Sequence, residues 1–179
     1  APATLQDCAK CLPIVFMDTS SHRDFSSSPK TRRAFLNWCC FYTFPQHADH
    51  LQKYSRALLQ RNHFLKQSSH HTHQDIQTWN EPLLHYAALI DQDRLSMTEF
   101  LNDALSIVWE HLGTPFPADV ALSYHKGWSK EKDFADSLAE SLASDLQHGY
   151  THLGPHRADL RCKLSSGGSI FDFFSQGQQ

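Results

Sequence analysis

The residues Phe174-Ser175-Gln176-Gly177-Gln178 combine groups that can hold an anion such as a phosphate. The hydroxyl of Ser175 can donate a hydrogen bond, and Gly177 lets backbone N–H groups approach a ligand closely because it carries no Cβ. A helix following this segment would add the positive end of its dipole. The alternative interpretation is an ordinary glycine turn.

A second candidate site is the densest basic cluster of the chain, which consists of Lys30, Arg32 and Arg33. At helical spacing Arg32 and Arg33 point in different directions, so we expect at most one of them on the buried side of the helix. Contacts to DNA phosphates would make binding dependent on salt concentration. The alternatives are a solvated helix start and an ion pair within the chain.

The third candidate is the segment from Gly154 to Asp159, which predicts a turn that enters a strand. Gly154 and Pro155 set the backbone, while His156, Arg157 and Asp159 supply polar groups. These groups could lie at a DNA surface or at an interface between subunits. A structural turn with an Arg157–Asp159 contact explains the same residues equally well.

Metal binding is the weakest of the chemical hypotheses. Cys8-x-x-Cys11 has the spacing of a zinc knuckle and His70-His71-Thr72-His73 could bind a transition metal, but a second ligand pair is missing. Five cysteines, two of them adjacent, do not form a disulfide framework. We therefore predict no metal site, with buried reduced thiols and a polar loop instead.

The composition describes a globular protein of one domain or slightly more. Of 179 residues, 40% are hydrophobic and 20% charged, which excludes wholesale disorder. No apolar run approaches the roughly 18 residues of a membrane span, and no signal peptide is recognisable, so a cytoplasmic protein is expected. A net charge of −3 excludes a strongly cationic nucleic-acid binder but permits a local basic patch.

The first two thirds of the chain read as mostly helical. A strand over 14–17 and a Ser-rich loop over 18–28 precede a helix that begins at Pro29. Two long amphipathic helices follow, over 47–67 and from about 81, near Pro82, to 112, and together they predict an antiparallel arm. The apolar positions of these two helices are Leu51, Tyr54, Leu58 and Leu65, with Arg61 at the remaining position, and Leu83, Tyr86, Ile90, Met97, Leu101, Ala104 and Val108.

The last third changes to a mixed pattern. We predict a strand over 120–125, a helix over 130–146 capped by Ser129 and ended by Gly149, and a strand over 158–164. A turn over 165–168 and a returning strand over 169–173 complete a hairpin. The predicted fold class is α+β and mostly helical, with the antiparallel arm inserted into an incomplete α/β body.

Three segments resemble the RecF family of SMC-like ATPases with an ABC-type head. Residues 150–160 read YTHLGPHRADL and resemble the signature T-x-x-G-P-H-[RK]-A-D-L, which is highly specific. Residues 29–38 resemble P-x-x-R-R-x-F-L-D, with Asn37 in place of Asp, and 174–178 resemble the ABC signature L-S-x-G-Q. Residues 56–62, RALLQRN, resemble R-x-L-x-Q-R-N on the family's arm.

The resemblance implies a central fragment of a recombination mediator, with head residues 1–28, arm 29–114 and head 115–179. Full-length members bind ATP and Mg²⁺, and the signature residues Ser175, Gly177 and Gln178 would contact ATP held by the other protomer of an ATP-dependent homodimer. DNA gaps and single-strand/double-strand junctions, RecR, RecO and RecA are the implied partners in DNA replication, recombinational repair and the SOS response.

Neither a Walker A sequence, G-x-x-x-x-G-K-[ST], nor a Walker B strand occurs in the chain, so we expect this fragment to bind no ATP tightly and to hydrolyse none. The alternative function is a stand-alone helical interaction module, for which residues 46–113 would suffice.

Overall fold

The computed structural model describes residues 12–16, 18, 20–67, 73–112 and 120–164. The described elements, in chain order, are helices α1 (Ser21–Ser27), α2 (Pro29–Thr43), α3 (His47–Lys66) and α4 (His73–Leu112), strand β1 (Val120–His125), helices α5 (Phe134–Glu140) and α6 (Leu142–His148), a 3-10 turn (Pro155–Arg157) and strand β2 (Asp159–Leu164).

Helix α2 begins as the sequence predicts. The Ser28 side chain accepts a hydrogen bond from the Thr31 backbone N–H, and Pro29 occupies the first turn, where its missing N–H costs nothing. Leu36 and Cys40 on the inner face of α2 are buried against residues of α4 and β2. The helix therefore lies between the arm and the sheet.

Helices α3 and α4 form the antiparallel arm. Tyr54 and Ala57 of α3 pack against Leu83, Ala87 and Ile90 of α4 in the largest buried cluster. Farther along the arm, Leu65 near the end of α3 packs with Ile76 near the start of α4. The predicted antiparallel arm is thus present. Its seam agrees with the helical spacing in part, because Ala57 and Ala87 are buried in addition to predicted positions such as Tyr54, Leu83 and Ile90.

Helix α4 begins earlier than predicted, so Pro82 lies inside the helix and not near its start. The turns before Pro82 are held by α3, because Ile76 is buried there and Asn80 accepts a hydrogen bond from Arg61. These contacts offset the backbone hydrogen bond that proline cannot make. The predicted buried stripe also ends sooner, since Ala104 and Val108 are exposed.

Strands β1 and β2 pair antiparallel, in a register that places Val120 opposite Leu164 and His125 opposite Asp159. Leu160 is buried against α2 and α4, so one face of this two-stranded sheet covers the arm base. The Asn102 side chain of α4 bonds both the backbone N–H and the carbonyl of Leu122, which fixes β1 on the helix.

Two predictions at the start of the described chain are wrong. Ile14 and Phe16 are exposed, at 66% and 85%, and residues 12–16 form no strand, because β1 and β2 of the described chain pair only with each other. Part of the predicted loop 18–28 is helix α1. The Asp18 carboxylate accepts hydrogen bonds from the Ser20 N–H and hydroxyl, which orders the chain just before α1.

The predicted single helix over 130–146 is also wrong, because it starts later, at Phe134, and breaks at Ser141 into α5 and α6. The Ser141 hydroxyl donates to the Leu138 carbonyl and competes with the regular helical ladder. Gly149 ends α6 as predicted, in the left-handed conformation with φ at +72°.

Several predicted features lie outside the described residues. They are the Cys8–Cys11 pair, His70 to Thr72 of the histidine tract, the 165–173 hairpin return and the signature residues Ser175, Gly177 and Gln178. No helix in the described ranges is long and apolar enough to cross a membrane.

Candidate functional site

The motif over 150–160 forms the bend that joins α6 to β2, and two glycines make this bend possible. The Gly154 N–H donates to the Gly127 carbonyl at 3.1 Å, and both glycines have positive φ. A Cβ on Gly127 would lie 2.2 Å from the Gly154 oxygen, and one on Gly154 would lie 2.6 Å from the Tyr54 hydroxyl. Only glycine fits at these two positions.

The first residues of the bend are held by Arg61 of α3, whose side chain is fully buried. Its Nη1 donates to Asp145 Oδ2 at 2.8 Å and to Thr151 Oγ1 at 2.5 Å, while Nε donates to Asn80 at 2.9 Å. We call Arg61, Asp145 and Thr151 the Arg61 clamp. It joins both arm helices to α6 and to the first residues of the motif.

The neighbouring Asn62 completes this contact. Its Oδ1 accepts hydrogen bonds from the backbone N–H of Thr151 at 2.8 Å and from the Thr151 hydroxyl at 2.7 Å. Two adjacent polar residues of α3, Arg61 and Asn62, thus both bind Thr151 of the motif.

The last residues of the bend are held by Arg32 of α2. Its Nε and Nη2 bind the two carboxylate oxygens of Asp159 at 2.8 and 3.1 Å, and Nη1 donates to the carbonyls of Phe25 and Ser26. We call Arg32 and Asp159 the Arg32 clamp. Arg33 donates to the Ala158 carbonyl at 2.8 Å, next to this clamp.

The carboxylate of Asp159 is held in its charged form. Burial by itself would raise its pKa, but hydrogen bonds from Arg32 and Arg161 and the charges of both arginines outweigh burial and leave the pKa below its ordinary value. The side chain of Asp159 is therefore an acceptor throughout the neutral range.

His156 lies between the two clamps and is bonded on both ring nitrogens. Nε2 lies 3.1 Å from the Thr151 carbonyl, so it carries the proton, and Nδ1 accepts from the Tyr54 hydroxyl at 2.7 Å. Burial lowers the pKa of His156 to about 4. The ring is therefore neutral near pH 7 and serves as a link to α3.

Arg94 of α4 provides the last contact to the bend. Its Nη1 donates to the Pro155 carbonyl at 2.8 Å and its Nε to Asn37 Oδ1 at 3.0 Å. The sequence reasoning missed Arg94, although it occupies a core-facing helical position between Ile90 and Met97. A charged residue on an apolar stripe is the signal that would have found it.

Curated relatives match nearly the whole of this chain. The DNA replication and repair protein RecF of Thioalkalivibrio sulfidiphilus is 36% identical over 176 residues, which are 98% of this chain and 48% of that protein. RecF of Pseudomonas fluorescens is 35% identical over 173 residues, covering 96% of this chain and 46% of the relative. The chain belongs to the RecF family. It spans about half the length of the relatives that it matches.

Solved RecF structures have the same fold. The structures of the recombination mediator protein RecF-ATP and of RecF-ATPrS in the RecFOR pathway each match with a TM-score of 0.79 at 22% identity, over 90% of this chain and 45–46% of theirs. This likeness confirms the predicted fold class, a helical arm with part of an ABC-type head. No protein-family model matches the chain.

Within this RecF segment the predicted site residues separate into two groups. Arg32 and His156 are engaged in internal contacts, whereas Lys30 and Arg157 are exposed. Arg33 is half-buried and, contrary to the expectation that it points away from Arg32, reaches the same segment as Arg32. Long side chains span the angle between adjacent helical positions.

The Arg157–Asp159 contact of the alternative interpretation is not formed. Asp159 binds Arg32 and Arg161, while the Arg157 guanidinium lies 5.8 Å from the centre of the Tyr150 ring. The described residues contain no group of three or more His, Cys, Asp or Glu side chains suited to a metal ion.

Proposed function

We propose that this chain is the part of a RecF recombination mediator that couples the arm to the ATPase head and contributes to DNA binding. The observation that supports this most directly is the TM-score of 0.79 to RecF-ATP from the RecFOR pathway, together with 36% identity to a RecF replication and repair protein. Within the full-length protein the proposed role is to load RecA at gapped DNA, with RecO and RecR as partners.

ATP is the proposed cofactor of the full-length protein, with Mg²⁺. The signature residues Ser175, Gly177 and Gln178 are proposed to contact the ATP of the other protomer in an ATP-dependent dimer. Their proposed role rests on the resemblance of 174–178 to the ABC signature, and these residues lie outside the described ranges. That the 179-residue chain alone hydrolyses no ATP also stays a prediction.

For DNA, we propose that the exposed cations around the bend contact phosphates. Lys30 and Arg157 are exposed, and so are Arg161 and Lys163, which alternate along β2 and therefore share one face of that strand. The pKa of Arg33 is lowered mainly by burial and by the charge of Arg94. The charge of Arg157 also contributes to this lowering, so Arg157 and Arg33 interact electrostatically. Arg32 and His156 position the bend from inside and are not proposed as DNA ligands.

The experiment is a titration of the 179-residue chain into fluorescein-labelled gapped DNA, followed by fluorescence anisotropy. We expect the double variant Lys30→Ala/Arg157→Ala to bind at least tenfold more weakly and to lower the slope of log K against log salt by about 2, one unit for each phosphate contact. The matched control Lys53→Ala/Lys132→Ala removes two exposed positive charges elsewhere. An equal loss in both double variants would contradict the proposed surface.

The alternative, a stand-alone interaction module over 46–113, receives less support from the contacts. Arg61, Tyr54 and Arg94 of the arm each have a hydrogen-bond partner between residues 145 and 156. Without these partners Arg61 keeps the acceptor Asn80 alone and the Arg94 guanidinium loses both acceptors described above, so the contacts that fix the arm are mostly removed. We expect residues 46–113 expressed alone to show no cooperative thermal unfolding, and a sharp transition would restore the alternative.

A further inference from the structure

Three aromatic rings cluster on the surface where the bend leaves α6. The Tyr150 and His152 ring centres lie 4.2 Å apart with the planes 38° from parallel, and His148 meets His152 edge to face at 4.9 Å. Tyr150 is 37% exposed and His148 is also exposed. We call Tyr150, His152 and His148 the aromatic cluster, and none of the internal contacts of the bend described above uses its tyrosine.

The cluster is held in place from below. His152 Nδ1 lies 2.7 Å from Asp145 Oδ1, and the His152 backbone N–H donates to the same oxygen at 3.0 Å. Asp145 is fixed in turn by the buried Arg61. The Tyr150 ring therefore stacks on a support whose orientation is set before any ligand arrives, which lowers the entropy lost on binding.

Two exposed cationic side chains lie near the cluster, one over the Tyr150 ring and one beside the preceding Gly149. The exposed Arg157 guanidinium lies 5.8 Å from the centre of the Tyr150 ring. The exposed Lys66 side chain passes beside Gly149, at a position where a Cβ on that glycine would lie 3.1 Å from Lys66 Cγ. The carboxylate of Asp145 is fully buried and paired, so it adds no exposed negative charge here.

We propose that the aromatic cluster is a stacking site for an unpaired base of single-stranded DNA, with Arg157 and Lys66 contacting the flanking phosphates. Aromatic rings bordered by cations are the arrangement that binds single strands without sequence preference, because every base has a π face. Duplex bases are stacked on each other and do not offer that face. This site deepens the proposed DNA-binding function and rests on it.

The test uses the 179-residue chain and a fluorescein-labelled 20-nucleotide oligo(dT), with a 20-base-pair duplex as comparison. Tyr150→Leu keeps an apolar side chain but removes the π face, and we expect about tenfold weaker binding to oligo(dT) with little change on the duplex. Tyr150→Phe keeps the ring and should bind within twofold of the unchanged chain. Circular dichroism and thermal unfolding confirm that each variant is folded.

Phe100→Ala is the matched control, because it removes another exposed aromatic ring, 54% exposed. Ile76 lies in the part of the arm near Lys66, and Phe100 lies 24 residues farther along α4. This separation corresponds to about 36 Å of helix. A 5-bromodeoxyuridine substituted into the oligonucleotide should also photocrosslink to Tyr150, as mapped by mass spectrometry of the digested adduct.

The outcomes separate this inference from the function on which it rests. If the chain binds oligo(dT) and Tyr150→Leu loses no more affinity than Phe100→Ala, the stacking site is wrong while DNA binding stands. An equal loss on the duplex likewise overturns base stacking. If the unchanged chain binds neither DNA, the proposed function of this chain fails and the site fails with it.

Discussion

The two arginine clamps do the same mechanical task, but the Arg61 clamp is completely buried and the Arg32 clamp reaches the edge of the solvent. Each holds one end of the bend between α6 and β2 and contains an arginine–aspartate pair with an N–O distance of 2.8 Å. In the Arg61 clamp both side chains are 0% exposed, whereas in the Arg32 clamp both are 9% exposed. The difference lies in which other groups can replace a lost partner.

Arg61 depends on three side chains from other parts of the chain, and its Nη2 has no hydrogen-bond partner among the described residues. Two nitrogens of Arg32 bind the carboxylate of Asp159, and its third nitrogen binds two backbone carbonyls. Arg161 also binds Asp159, from the solvent side. Buried ions without substitutes are costly to leave unpaired, so the comparison teaches that burial, more than bond count, decides the importance of a clamp.

The largest expected effect is the difference between matched arginine variants. Arg61→Met should lower the free energy of unfolding by about 3–5 kcal/mol, because Asp145 is fully buried, loses its guanidinium partner and keeps His152 as a contact outside α6. Arg32→Met should cost about 1–3 kcal/mol, because Arg161 still pairs with Asp159. Urea unfolding monitored by circular dichroism measures both, and equal losses would show that burial does not decide the comparison.

A smaller effect concerns pH and the histidine between the clamps. The pKa of His156 is lowered to about 4 by burial, from an ordinary value of 6.5. Below pH 6.5, His156 binds a proton in the unfolded chain but stays neutral in the folded chain until about pH 4. The free energy of unfolding therefore falls between pH 6.5 and 4, by up to about 3 kcal/mol. His47, whose pKa burial also lowers, adds to this loss.

His156→Gln tests this directly, since glutamine keeps one donor and one acceptor without titrating. Unfolding free energies at pH 7 and pH 4 should differ less in this variant than in the unchanged chain, by about 3 kcal/mol. The exposed His85→Gln is the control and should leave the pH dependence unchanged. A steep fall that persists in His156→Gln would assign the pH dependence to other groups.

The smallest expected effect comes from the solvent side of the Arg32 clamp. Arg161 is 54% exposed, so Arg161→Ala should cost at most about 0.5 kcal/mol at pH 7. Because Asp159 has a lowered pKa, its contribution is present above pH 3.8 and lost as the pH falls through the folded pKa. Without Arg161 the pKa of Asp159 moves up toward 3.8. The free energy of unfolding should therefore fall less between pH 7 and pH 3 in Arg161→Ala than in the unchanged chain.

Most elements of the fold could be predicted because their signals are local. Pro29 after a capping serine begins α2, the spacing from Leu51 to Leu65 gives α3, and Gly149 ends α6. The start of α4 could not be predicted, because contacts with α3 carry the helix past Pro82 in spite of its missing N–H. Tertiary contacts override local preference at such positions.

The clamps were less predictable, since a sequence position does not reveal a distant partner. Arg61 was visible as a polar residue on an apolar seam, but nothing local assigns it to Asp145, 84 residues away. The same holds for Arg94, which donates to a backbone carbonyl that any residue would offer. The motif segment was recognised by resemblance, whereas its contacts to α2, α3 and α4 required the structure.

The long separations within the clamps also fix the order in which this chain can complete its fold during synthesis. Arg32 precedes Asp159 by 127 residues and Arg61 precedes Thr151 by 90. At translation rates of about 5–20 residues per second, Arg32 waits roughly 6–25 seconds for its partner. Chains stalled on the ribosome before residue 145 should remain sensitive to protease, and resistance there would show that the helices lock without the bend. Helices α2 and α3 thus stay unlocked, and open to chaperones, until the bend that closes them has been made.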